Sequence, residues 1–135
     1  MIRGLNIGLD YGGVIDFNPG RWGMAVECAI EKQGHKVFII SHAQEGKDAE
    51  KREAFAKEYG AINLTFTDLK SGVQEKEIAI RKADLCKQYA IDFFIDDDAD
   101  RAATISLNYH LCSVFYVHQR MWELGLHLLD SLGEP

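Results

Sequence analysis

Leu5-Asn6-Ile7-Gly8-Leu9-Asp10-Tyr11-Gly12-Gly13-Val14-Ile15 opens as an apolar run of strand length and breaks at a carboxylate followed by two glycines. Similar apolar runs recur at 37–40, 62–66, 91–95 and 111–117. They are continuous rather than alternating, which is how strands read when both of their faces are covered. Helical patterns fill the intervals. In 22–33, Trp22, Val26, Ala29 and Ile30 share one face, and Gly34 then offers a left-handed stop. Comparable segments span 46–59, ending at Gly60, then 73–89, 99–108 and 121–132. Strands that alternate with helices in this way predict an α/β fold, a Rossmann-like three-layer sandwich around a central parallel sheet of about five strands.

Composition agrees with one domain over 1–135. The 135 residues are 47% apolar and 27% charged, enough to close a core without metal or disulfide staples. A net charge of −6 argues against non-specific binding to nucleic acid or to an anionic membrane. Cys28, Cys86 and Cys112 form no close pair and sit among apolar residues, so buried, reduced thiols and a cytoplasmic location are expected. The N-terminal apolar run is interrupted by Asn6 and Asp10, which predicts neither a signal peptide nor a membrane span.

Ligands of such sheets bind beyond the carboxyl ends of the strands. The residues arriving there are Asp10 after the first run, Ser41 after the second, Thr65 and Thr67 around the third, and Asp96-Asp97-Asp98 after the fourth. One aspartate after a strand is adequately explained as a cap for the next turn. Four carboxylates at one edge repel one another by several kcal/mol unless a cation joins them, and an all-oxygen donor set suits a hard ion such as Mg2+.

The first stretch, with Asp10 followed by Tyr11-Gly12-Gly13-Val14-Ile15, resembles the first motif of the haloacid dehalogenase superfamily. Phe38-Ile39-Ile40-Ser41-His42 is similar to its second motif, and Phe93-Phe94-Ile95-Asp96-Asp97-Asp98 to its acidic fourth. These stand in the family's order. The resemblance implies a sheet ordered 3-2-1-4-5 and a Mg2+-dependent phosphohydrolase in which Asp10 attacks phosphorus and forms an aspartyl-phosphate. It also implies that Ser41 hydrogen-bonds the transferring phosphoryl group. Mg2+ would be held by the Asp10 carboxylate, the Gly12 carbonyl and Asp97, with Asp96 behind them. Asp98 and Asp100 are expected at a helix N-terminus, where the helix dipole favours them.

The family's third motif is a lysine, for which Lys76 and Lys82 are candidates. The helix carrying them must climb as far as the next strand descends, and the five steps from Ile91 to Asp96 cover roughly 16 Å. Thirteen helical steps from Lys76 to Tyr89 cover about 20 Å, and seven from Lys82 about 10 Å. Lys76 therefore reaches the level of the site with little help, whereas Lys82 needs most of its side-chain length. Lys76 is the first choice.

Two departures from the family pattern bear on activity. Gly12 stands where its phosphatases usually carry the aspartate that acts as general acid, a loss that predicts slow turnover or none. Asp16 lies too far along to replace it by simple spacing. The intervals between motifs are also short, so no cap domain is expected. That favours a phosphorylated substrate presented on a macromolecule or enclosed by a neighbouring subunit. Tyr11, Phe17, Asn18, Arg21 and Trp22 follow the nucleophile and are candidate substrate contacts. Among the histidines only His42 falls near the site; it is a candidate substitute acid, but strand alternation points it away from Ser41. The apolar 121–132 segment reads as a closing helix and a candidate homodimer surface. Two alternatives stand beside the phosphatase. One is a related domain that binds metal and phosphate without turnover. The other is a receiver-like phosphoacceptor domain, whose acidic residues and lysine would follow different strands from those seen here.

Overall fold

The computed structural model describes residues 4–69, 75–109 and 111–116. The apolar runs form strands β1 (Asn6–Leu9), β2 (Lys36–Ile39), β3 (Ile62–Asn63), β4 (Phe93–Asp96) and β5 (Ser113–Tyr116). The helices between them are α1 (Pro19–Glu31), α2 (Lys47–Tyr59), α3 (Glu75–Gln88) and α4 (Ala99–Asn108). The strands pair in parallel in the order β3-β2-β1-β4-β5, the expected topology. From β1 to β2 the chain makes one wide turn and α1, and from β2 to β3 only α2, so neither interval carries a cap domain. The 121–132 segment and its candidate dimer surface lie outside the described residues.

Right-handed crossovers distribute the helices over the two faces. Moving outward from β1 to β3 places α1 and α2 together, and moving from β4 to β5 places α4 beside α3. Strand alternation then divides the core. Leu9, Val37, Ile39 and Ile95 pack with Val26 and Phe55 on the α1/α2 face. Phe38, Ile40 and Phe94 pack with Ala83, Cys86 and Ile105 on the α3/α4 face.

Helix boundaries follow local chemistry. α1 starts before Trp22 because Asn18 accepts the Arg21 N–H at 3.3 Å and Pro19 is preorganised for the first turn. α2 ends at Gly60, which is left-handed with φ 84°, as its position in the sequence predicts. β3 is shorter than its apolar run because the Asn63 side chain accepts from the N–H and hydroxyl of Thr65 and turns the chain. Pairing to β2 nevertheless continues, with Phe66 N–H donating to Ser41 C=O at 3.0 Å. One expectation fails: Cys28 is exposed on the outer face of α1, while Cys86 and Cys112 are buried. No helix among the described residues is long and apolar enough to cross a membrane.

Candidate active site

Register brings the site together. Leu9 lies opposite both Ile39 and Ile95, so the residues that follow emerge level at the carboxyl edge of the three central strands. Asp10 N–H donates to Ile95 C=O at 3.0 Å, and Ile40 N–H to Leu9 C=O at 2.9 Å. Because Leu9 and Ile95 face α1 and α2, alternation turns Asp10 and Asp96 to the α3 face, and Ser41, after Ile40, to the α2 face. Each face answers with a basic side chain.

On the α3 face that side chain is Lys82. Its Nζ lies 3.0 Å from Asp10 Oδ1 and 3.0 Å from Asp96 Oδ2, and all three residues are buried. Lys76, the expected choice, is exposed near the start of α3. Helical side chains lean toward the helix N-terminus. Here that is the direction of the active edge, so the Lys82 side chain itself spans the roughly 6 Å that separates the helical climb from the strand's descent.

Three carboxylates gather around this one ammonium. Asp10, Asp96 and Asp97 can each offer an oxygen such that the three atoms lie within 4.8 Å of one another. Asp96 commits both oxygens to the protein, Oδ2 to Lys82 and Oδ1 to the Asp98 N–H at 3.0 Å. Asp10 Oδ1 accepts from Tyr11 N–H at 2.9 Å as well as meeting Lys82, but its Oδ2 is buried with no hydrogen-bond donor among the described residues, its neighbour being the Asp97 carboxyl. Burial pushes the Asp10 carboxyl from 3.8 up to about 7, with Lys82 opposing the rise and Asp96 adding to it. Burial also raises the Asp97 carboxyl, and the charge of Asp96 adds to that. An unpartnered buried oxygen, a surplus of negative charge and hard oxygen donors together fit a divalent cation such as Mg2+. Asp10 and Asp97 line the pocket where it would sit, and Asp96 stands behind them.

The wide turn Tyr11–Ile15 shapes the near wall, closed by Asp16 N–H donating to Tyr11 C=O at 3.0 Å. Gly13 is left-handed at φ 76°, and a Cβ there would come within 1.9 Å of Asp97 Oδ2. Glycine is required on both counts. Gly12 differs: at φ −65° and ψ 126° its backbone suits any residue, and the nearest atom to a Cβ there is Arg52 Nη2 at 3.9 Å. Asp16 accepts the Gly13 N–H at 2.8 Å and holds the turn. Asp98 caps α4 by accepting the Arg101 N–H at 3.0 Å, and Asp100 lies in its first turn, as expected.

On the α2 face Ser41, 1% exposed, meets Arg52, whose Nε donates to Ser41 Oγ at 2.9 Å. The Arg52 guanidinium also lies 4.6 Å over the Tyr11 ring. Arg52 and Arg101 line the same pocket of about 280 Å3 as Asp10, Gly12, Ser41 and Asp97. Sequence reading missed both arginines. Arg101, in the first turn of a helix that begins beside the acidic cluster, was open to inference. Arg52 was not, because it is one of many charged residues in α2 and nothing in the pattern singles it out. Of the other expected substrate contacts, Tyr11 is buried in the core and Trp22 packs against it. Asn18 is the α1 cap. Phe17 and Arg21 do not line the pocket. His42 does line it, with Nε2 buried and unpartnered among the described residues.

Fold and site thus define a doubly wound α/β protein with carboxylates, a buried lysine and two arginines converging at the carboxyl edge of its sheet. No family model matches the sequence, and no curated protein matches it. Among solved structures, an uncharacterized protein from Corynebacterium glutamicum aligns with a TM-score of 0.59 at 20% identity, over 94% of this chain and 93% of that one. The likeness is one of fold.

Proposed function

We propose that the chain is a Mg2+-dependent phosphohydrolase of the haloacid dehalogenase type, with Asp10 as nucleophile. The observation that carries this reading is Asp10 Oδ2, a buried carboxylate oxygen without a hydrogen-bond partner among the described residues, at the edge of a pocket with Ser41 and Asp97. Lys82 orients the other Asp10 oxygen and offsets part of the charge. Asp10 attacks phosphorus, the bond to the leaving oxygen breaks, and water then releases phosphate from the aspartyl-phosphate. Asp10, Asp97 and the Gly12 carbonyl would hold Mg2+, which would neutralise charge between the carboxylates and the incoming phosphate. Ser41 donates its hydroxyl hydrogen to a phosphoryl oxygen while Arg52 Nε, donating to the hydroxyl oxygen, holds it in place. The buried thiols Cys86 and Cys112 suit a reducing compartment such as the cytoplasm.

Gly12 favours a second reading, a domain that binds phosphate without turning it over, since no side chain there transfers a proton. Release of phosphate from p-nitrophenyl phosphate and acetyl phosphate, with and without Mg2+, by the purified protein and by Asp10→Asn separates the two. Mg2+-dependent release that Asp10→Asn abolishes supports the hydrolase. Release that survives Asp10→Asn refutes the nucleophile, and Mg2+-dependent phosphate binding without release favours the binding domain.

A further inference from the structure

The three nitrogens of the Arg52 guanidinium are disposed differently. Nε donates to Ser41 Oγ at 2.9 Å and Nη1 to the Asp48 carbonyl at 2.8 Å. Nη2 is the atom that faces Gly12. With stacking on Tyr11 as well, the group is fixed in place by the protein rather than by a ligand. By contrast, Arg101 commits Nε and Nη2 to Glu75 Oε2, at 2.8 and 2.6 Å. The wall over Gly12 therefore presents an immobilised cation that cannot release a proton.

A cation and an acid serve different leaving groups. An alcohol departs as a strongly basic alkoxide unless a proton is supplied. A phosphate or carboxylate departs as a stable anion that a guanidinium hydrogen-bonds directly. Resting on the hydrolase reading above, we propose that Arg52 Nη2 receives the leaving oxygen, so that the substrates are phosphoryl groups on acidic oxygens, phosphoanhydrides and acyl phosphates, rather than phosphate esters of alcohols. In the first step an Asp10 oxygen forms a bond to phosphorus, and the leaving oxygen takes the electron pair of the bond that breaks, with no proton transferred. In the second step water attacks phosphorus and both of its hydrogens remain on the phosphate product, while Asp10 regains its carboxylate. A carboxylate introduced at Gly12 would pair with Arg52 and stay ionised, so Gly12→Asp alone would not convert the site to ester hydrolysis.

The test is a leaving-group series at fixed Mg2+: acetyl phosphate, inorganic pyrophosphate, p-nitrophenyl phosphate and glycerol phosphate, with wild type, Arg52→Gln, Arg52→Lys, His42→Gln and Asp10→Asn. Expected is Asp10-dependent hydrolysis of acetyl phosphate and pyrophosphate with kcat/KM, which reads the leaving-group step, at least about 10²-fold above that of glycerol phosphate, the scale of the missing proton transfer. Arg52→Gln is expected to lower kcat/KM for the anhydrides by about 10²-fold, as for loss of one donor to developing charge. Arg52→Lys is expected to restore part of the rate. Glycerol phosphate hydrolysed as fast as acetyl phosphate, or hydrolysed through an activity that His42→Gln abolishes, overturns the inference and leaves the hydrolase reading standing. An equal loss on every substrate in Arg52→Gln overturns the role of Arg52, because the side chain then clamps the transferred group. Hydrolysis of none of the four, or hydrolysis unaffected by Asp10→Asn, overturns the hydrolase reading and this inference with it.

Discussion

Replacing Asp10 by asparagine is expected to stabilise the metal-free protein increasingly as pH rises. Burial pushes this carboxyl from 3.8 up to about 7. Between those values the folded state keeps a proton that the unfolded chain has released, so ionising Asp10 opposes folding and stability falls with pH across that window. At about 1.36 kcal/mol per unit, the full shift corresponds to roughly 4 kcal/mol, and the portion developed between about pH 5 and about pH 8 to roughly 2–3 kcal/mol. Asparagine carries no such titration. It also weakens the contact to Lys82, a loss of about 1–3 kcal/mol that is nearly constant with pH, because Lys82 keeps Asp96. The assay is urea denaturation of both proteins in EDTA at the two pH values. The stability of Asp10→Asn relative to wild type is expected to improve by roughly 2–3 kcal/mol from the lower pH to the higher. An unchanged difference, or one that moves the other way, would refute the reasoning that Asp10 is held in a site short of positive charge.

Removing the ammonium with Lys82→Met leaves two buried carboxylates facing each other and is expected to cost about 3–5 kcal/mol by the same denaturation measurement. Lys76→Ala, at an exposed position, is expected to stay within about 0.5 kcal/mol. Gly13→Ala, forced into a left-handed conformation against Asp97, is expected to cost about 1–3 kcal/mol and to abolish stabilisation by Mg2+. Gly12→Ala is expected to do neither, as thermal melts with and without Mg2+ will show. Mg2+ at about a hundred times its dissociation constant is expected to stabilise wild type by about 2.7 kcal/mol. At a fixed Mg2+ concentration that stabilisation grows from about pH 5 to about pH 8, as Asp10 gives up the proton that competes with the ion. Asp97→Asn is expected to remove most of it, which calorimetric titration checks.

The fold was legible because its signal is repeated. Five continuous apolar runs separated by helical segments admit few arrangements, and the handedness of crossovers removes most of those. Asp10, Ser41, Asp96 and Asp97 were legible for the same reason, since each lies at or just beyond the carboxyl end of a strand and strand ends define the crevice. What the sequence concealed depends on side-chain direction. Lys82 reaches Asp10 because helical side chains lean backward, and counting backbone rise alone favoured Lys76. Arg52 reaches Ser41 across the gap between α2 and β2. Nothing in the neighbourhood Lys51-Arg52-Glu53 separates it from an ordinary solvated helix face.

The central claim is that Asp10 becomes covalently phosphorylated, and the most direct measurement is to mix the protein with Mg2+ and acetyl phosphate, quench in acid within the first turnovers and map the modified peptide by mass spectrometry. With no side chain at Gly12 to take a proton from the attacking water, the second step is slow and the intermediate accumulates. The account predicts one phosphoryl group on the peptide containing Asp10, reducible by borohydride and absent in Asp10→Asn. Phosphate released with no acid-trapped adduct in a burst time course, or a phosphoryl group carried by any other residue, would contradict it.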